Sequence, residues 1–360
     1  MPAQTALPYL RMRKGATWIT DIQAFTVSYG KRNISDTFRS ANAVVSGRRP
    51  DLLPSIAIGD VLELFVTVTS GATLYNRDFQ FRVADLRIVY GTIPSMDTWE
   101  LLLEDTLAYL GRATLPARTI AAGTNAGTAA VTIAADVGVT LVESGTTSEL
   151  TSAQTVTGLN ALEVINNLAN TEYAWLESGG GPDLLSWLSR DYWTGGTNSA
   201  VFADDGTGEI DFDSLTFDSL ADNYATKVVV NPIGGTEVEV GTGDYSYTLN
   251  TYSQNTAAAT DLGQFVAGVF DVNASSPSSI SYLVNSQDAL YWTRGMVGPS
   301  FLTSIKFRSQ TYYARQIGFV IAGDTERTRV TSFLVPYDAI AWLVLNNASL
   351  GRLDYNRLGF

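Results

Sequence analysis

The sequence contains no cysteine and no histidine. Without cysteine there is no disulfide and no thiolate metal site, and without histidine no Ser-His-Asp or Cys-His pair. Histidine is also the commonest general acid–base and metal ligand. Catalysis would have to rest on carboxylates, tyrosines or lysines, and the lysines number four: Lys14, Lys31, Lys227 and Lys306. No enzyme chemistry, cofactor or metal is therefore expected. Charge is scarce as well, at 16% of the 360 residues against about a quarter in an ordinary soluble domain. An isolated domain so poor in charge is short of solubilising surface, whereas a subunit surrounded by neighbours is not. Long apolar runs are missing too, since none reaches the roughly 18 residues of a bilayer span. The opening MPAQTALPYLRMRKG places its basic cluster after its apolar residues, the wrong order for a signal peptide. These features predict a protein without stable membrane insertion, made and assembled in a cytoplasm. The terminal Phe360 invites a porin reading, but alternate residues back from it are Leu358, Asn356, Asp354 and Arg352, which breaks the lipid-facing alternation.

What is present points to strands. Hydrophobic residues make up 45% of the chain, with 17 Tyr and 15 Phe, a mixture suited to pleated surfaces. The formal net charge is −13, which repels phosphates and argues against a nucleic-acid-binding module. Alternation predicts strands over 17–29, 34–45, 61–69 and 79–90, a compact antiparallel unit of barrel or sandwich type. From Met96 to Leu110, Trp99, Leu102, Leu103, Leu107 and Leu110 fall at helical spacing after Ser95, so a helix is expected. Residues 121–154, rich in Ala, Gly and Thr, are expected as a hairpin or a loose excursion. Leu159, Leu162, Ile165 and Leu168 predict the strongest helix, followed by a strand at 173–176, a Gly-rich turn and a returning strand at 184–190. Further on, 227–230 and 236–240 read as a hairpin around Gly234-Gly235. Strands are expected at 245–252, 280–285, 301–308, 317–322 and 327–335, with a short helix at 261–270.

Three constellations invite functional readings. Residues 194–226 hold seven acids and no base: Asp204, Asp205, Glu209, Asp211, Asp213, Asp218 and Asp222. Asp204-Asp205-Gly206-Thr207-Gly208-Glu209 does not fit the frame of a calcium loop, so a solvated turn is the simpler reading. Glu100 and Glu104 lie one turn apart on the expected helix, but a pair on one face makes no cleft for glycoside hydrolysis. Arg11, Arg13 and Lys14 form a basic cluster that either docks on an acidic neighbour, including another copy, or frays as a terminus. At the other end Leu350, Leu353, Tyr355, Leu358 and Phe360 are apolar residues in a polar tail, expected either on a partner surface or packed back on the last domain.

The order of elements carries a resemblance. Trp18, the Tyr29-Gly30 turn, the small-residue strand Ser40–Val45 and Gly59-Asp60-Val61 resemble the opening of phage minor tail proteins of the tail-hub type. Leu162, Leu168, Glu172, Trp187 and Arg190 match that family's helix–hairpin segment. DSLTFDSLADNYATKVVVNPIGG and the closing LGRLDYNRLGF are similar to its later segments. Two departures are the long Ala/Gly/Thr stretch at 121–154 and a Gly-Gly-Gly-Pro turn where Asp-Gly is usual.

The resemblance implies a mainly β fold with a few helices: two small β-barrel-like tube domains interrupted by an α/β insertion. The implied division is an N-terminal arm over 1–14, a first hub domain with a closing helix over 15–112, the insertion over 113–208, a second hub domain over 209–345 and a docking tail over 346–360. It implies a homotrimeric ring in the virion tail tip of a siphophage. Its neighbours would be the distal tail protein, the tape-measure protein and other minor tail or fibre proteins, with DNA passing only in transit during genome ejection. Asp204, Asp205, Glu209, Asp211 and Asp213 are then candidates for the channel lining. A receptor- or carbohydrate-binding tail protein is the alternative, and the positions of Trp175, Trp187 and Trp193 discriminate: an exposed cluster favours sugar, burial favours the hub.

Overall fold

The computed structural model describes residues 6–33, 36, 41–70, 73–146, 149–178, 181, 183–193, 197–208, 210–217, 225–269, 277–284, 301–324 and 327–336. Its first part contributes strands β1 (Ala6–Lys14), β2 (Thr17–Ile19), β3 (Ile22–Gly30), β4 (Asn42–Arg48), β5 (Val61–Ser70), β6 (Thr73–Val89) and β7 (Thr98–Glu104). The middle contains α1 (Thr106–Leu110), β8 (Thr119–Ile120), α2 (Ala126–Asp136), β9 (Thr140–Ser144), β10 (Gln154–Thr155), α3 (Ala161–Glu172), β11 (Trp175–Ser178) and β12 (Leu184–Leu188). The last part contributes β13 (Thr197–Ala203), β14 (Ser214–Thr216), β15 (Lys227–Pro232), β16 (Val238–Gly241), β17 (Ser246–Thr251), α4 (Thr256–Val269), β18 (Ser279–Leu283), β19 (Phe301–Phe307), β20 (Gln310–Asp324) and β21 (Thr328–Pro336). None of these helices is long and apolar enough to cross a membrane.

The fold is mainly β, as expected, and its helices gather around the insertion and one small sheet. The two barrel-like domains expected from the sequence, however, are not separate in their strands. They share one sheet in the order β14-β18-β21-β20-β3-β4-β7-β6-β5-β1-β2, with β13 and β19 joined through β20. The seam is the antiparallel pairing of β3 with β20, from Gly30 opposite Gly318 to Ala24 opposite Asp324. The described strands form no closed barrel; β1 rolls back towards β3 and β20 without hydrogen-bonding to them. The 1–14 arm is largely a strand of this sheet, since β1 pairs with both β2 and β5.

Local sequence explains most elements. In β5, Leu62, Leu64 and Val66 are buried while Glu63 and Phe65 face outward, the period of two that a half-buried strand requires. The helix expected over Met96–Leu110 is instead β7 followed by the single-turn α1. TWELLLE satisfies period two better than period 3.6: Trp99, Leu101 and Leu103 are buried between β4 and β6, while Leu102 is exposed. Glu100 and Glu104 thus lie on the outer face of a strand, and the helix begins only where Asp105 accepts hydrogen bonds from Leu107 N–H and Ala108 N–H.

The 121–154 stretch is not a loose excursion. It holds α2, capped by Asn125, and β9, which pairs in parallel with β12. Its small residues serve close packing: Ala126, Ala129, Ala130 and Ala134 are buried against α3. The expected helix α3, the β11–β12 hairpin and the β15–β16 hairpin are present. β17 adds to β15 in parallel, and α4 covers β15 and β16.

Two cores result. One fills the large sheet and extends under α4, with Phe25, Val27, Trp99, Phe319 and Trp175 among its members. The other belongs to the insertion and includes Ile133, Val164, Leu168 and Trp187.

Candidate assembly surface

Arg11 and Arg13 fall on the outer face of β1 and Lys14 at its end, and the cluster is engaged within the chain. Arg13 pairs with Glu63, and Lys14 pairs with Asp60 and donates to the Ser55 carbonyl. The Arg11 guanidinium lies 3.9 Å from the centre of the Trp18 ring, a cation–π contact on a partly exposed indole. Two of the three cations are therefore neutralised before any partner arrives.

The acidic stretch is also largely paired. Asp205 bonds Lys306 at 2.7 Å, and Lys306 together with Thr207 holds its carboxyl well below the usual carboxylate range. Asp213 meets Arg329 at 3.1 Å, and Asp204 accepts from the Arg308 N–H. Asp211 is exposed. These side chains lie beside β14, an end strand of the sheet, and beside the β13–β19 pair. Glu209, Asp218 and Asp222 lie outside the described residues, as do Leu350, Leu353, Tyr355, Leu358 and Phe360. Among the described residues no group of three or more acids stands close enough to hold a metal ion.

The three tryptophans form no exposed platform. Trp175 and Trp187 are fully buried and belong to different cores. Trp193 is half-buried against Tyr173 and Trp175, with its Nε1–H donating to the Tyr173 carbonyl.

The insertion is fixed to the sheet by polar contacts that no single segment announces. The Tyr29 hydroxyl donates to the Ser178 carbonyl at 2.9 Å. Asp105 is buried where β7 meets α1 and accepts from Ala41 N–H at 2.9 Å. Burial pushes its carboxyl up to about 7 against the lowering effect of these donors. Lys31, next to Gly30 at the seam, is buried over the Trp175 ring, and desolvation lowers its amine to about 8 despite Asp36. Arg190 joins Glu149 of the insertion at 2.6 Å to Asp261 of α4 at 3.5 Å. A cleft of about 590 Å³ between sheet and insertion is lined by Ile58, Arg82, Tyr109, Arg112 and Asp183. Two ion pairs lie along it, Arg82 with Asp183 and Arg112 with Glu104.

Among the described residues a prominent exposed apolar feature leads into the stretch where the sequence predicts a helix. The β6–β7 hairpin carries Ile88, Val89, Tyr90, Ile93 and Met96 into solvent, Tyr90 at 75% exposure. Soluble monomers rarely group so many exposed apolar side chains without a partner. The signal was available in the strand period of TWELLLE, which places 90–96 at a hairpin tip.

No protein-family model and no curated protein matches the sequence. The fold, by contrast, matches solved structures over nearly the whole chain. A tail protein from Neisseria meningitidis superposes with a TM-score of 0.66 at 13% identity, covering 93% of this chain and 98% of that one. The 43 kDa tail protein of prophage MuSo2 from Shewanella oneidensis gives a TM-score of 0.59 at 13% identity, covering 91% and 97%. An E. coli component of the type VI secretion system, itself structurally similar to the T4 tail proteins gp27 and gp5, gives 0.53 at 9% identity, covering 92% and 77%. At these identities the shared property is the fold.

Proposed function

We propose that this chain is a structural subunit of a phage tail, and within it a hub ring at the tail tip. The observation that carries the reading is the fold shared end to end with two tail proteins, each covered almost completely. A sequence poor in charge and without histidine or cysteine agrees with a part that works by assembly. In this reading three copies form the ring, assembled in the host cytoplasm. The ring contacts the distal tail protein, the tape-measure protein and other minor tail or fibre proteins, and DNA passes through it without being held. Burial of Trp175 and Trp187 weighs against the sugar-binding alternative, because a stacking platform needs exposed rings.

Electron microscopy of intact tails carrying a label on this protein tests the proposal. Density at the tail tip with three copies per virion is the expected result. Labelling away from the tail, or a single copy per virion, rejects the hub.

A further inference from the structure

We infer that the free edge of β6 is a two-fold contact site for a second copy of this chain, pairing antiparallel with Leu86 opposite Leu86 and Asp85 opposite Arg87. The edge exists because β5 stops early. β5 covers β6 only as far as Val61 opposite Arg82, and the turn before it adds two last hydrogen bonds, Gly59 N–H to Val83 C=O and Val83 N–H to the Asp60 C=O. β6 continues to Val89, held on its other side by β7. Along Asp85–Val89 the opposite side has no backbone partner among the described residues. An open edge with apolar side chains is a template for strand addition.

The charges select the occupant. On the outer face Asp85 stands opposite Leu102 of β7 and Arg87 opposite Glu100, without an ion pair forming between Arg87 and Glu100. Asp85 and Arg87 are exposed, and neither forms an ion pair or side-chain hydrogen bond with another described residue. Directly opposed cross-strand residues share a face and interact most strongly. Centring an antiparallel pair on Leu86 sets Asp85 against Arg87 twice, and places Ile88 against Ala84, the extra residue of the bulge between Val83 and Asp85. No other centre on this edge pairs both charges. The edge is thus complementary to itself, which is what an isologous contact requires. In this register pairing ends at Ile88 opposite Ala84, because the next positions, Val83 and Arg82, are already held by the Gly59-Asp60 turn and by Val61 of the same copy.

The contact does not depend on the hub reading. A ring of three and a two-fold edge give particle masses in multiples of three and of two, so sedimentation of the purified chain separates them. Wild type is expected to form an even-numbered particle. Arg87→Asp replaces both attractive pairs with repulsive ones and should weaken association at least tenfold, as should Asp85→Arg independently. The double variant Asp85→Arg with Arg87→Asp restores complementarity in this register and should recover association. Either single variant splits a dimer to monomers, or six copies to rings of three. A wild type with no even-numbered species assigns the edge to a strand of a different protein and overturns the inference. Association indifferent to both single variants, or not recovered by the double variant, overturns it equally.

Discussion

Gly30 and Gly318 stand opposite each other where β3 pairs with β20, and neither position has room for a side chain. A Cβ on Gly30, whose φ is +75°, would lie 2.5 Å from the Ile317 carbonyl oxygen, and one on Gly318 would lie 2.2 Å from that of Lys31. All the obstructing atoms are backbone, so only the strands themselves can give way. Among the described strands this pair sits at the seam that joins the two halves into a single sheet. Gly318→Ala and Gly30→Ala should each destabilise the chain by roughly 1–3 kcal/mol in urea unfolding. Gly268→Ala, in open space on α4, should be neutral or slightly stabilising.

Asp105 should give the protein a stability that falls as pH rises. Its carboxyl is raised by burial from 3.8 to about 7, so the folded state holds the proton more tightly than the unfolded chain. The contribution is complete below about pH 4 and is lost as pH rises through about 7, at no more than about 1.4 kcal/mol per pH unit. Asp105→Asn keeps an oxygen for the Leu107 and Ala108 N–H groups but cannot ionise. Unfolding free energies at pH 5 and pH 8 should therefore converge in the variant relative to wild type. An unchanged difference removes Asp105 as the source.

What was legible in the sequence was whatever a local period encodes. β5 alternates cleanly and α3 repeats at three and four residues, and both stand where expected. β7 was misread because Trp99, Leu103, Leu107 and Leu110 also satisfy helical spacing; the buried neighbours β4 and β6 decide between the periods, and they come from other parts of the chain. α2 was invisible because its face is built from alanines, whose worth lies in close approach to α3 and not in apolar bulk. The acids were legible as a cluster, but Lys306 and Arg329 lie about a hundred residues away and only the folded sheet brings them together. The free β6 edge depends on where a different strand ends, which no window on β6 itself contains.

Arg190 should prove to be a clamp between the insertion and α4. It is largely buried, bonds Glu149 and Asp261, and lies over the Phe265 ring. Desolvation and Asp261 already raise the Glu149 carboxyl, and Arg190 opposes them. Arg190→Ala leaves two acids facing each other and should cost roughly 2–4 kcal/mol near neutral pH. The cost should shrink towards pH 5, where Glu149 can take up a proton. Adding Glu149→Gln should recover part of it, a coupling that a double-mutant cycle measures.

Deletion of residues 346–360 tests the tail proposed as a docking segment. Leu350, Leu353, Tyr355, Leu358 and Phe360 each stand to gain on the order of 1.5–3 kcal/mol on full burial. If a neighbouring subunit provides that burial, the truncated chain should keep its unfolding midpoint while its incorporation into tails drops. A lowered midpoint places the segment on this chain's own core, and normal incorporation rejects the docking role.

The channel wall of the proposed ring should be neutral to acidic, never basic. Duplex DNA carries one charge per roughly 1.7 Å, and a basic wall would release counterions and bind it more tightly with each contact. The stretch proposed to line the wall has its own means of avoiding this. Asp205 neutralises Lys306 and Asp213 neutralises Arg329, so the cations of β19 and β21 are matched by acids from the 204–213 segment, and Asp211 adds an exposed negative charge. The pairs act at close range, while the screening length at physiological salt is about 8 Å, so a passing duplex would meet a surface of little net charge. Asp205→Lys beside Lys306, together with Asp213→Lys beside Arg329, turns both pairs into repelling cations. Phage carrying the double variant should assemble normally but release DNA more slowly in a dye-exclusion ejection assay, with the delay shrinking as salt is raised. Ejection at the wild-type rate at low salt places these residues away from the DNA path and removes the lining from the proposal.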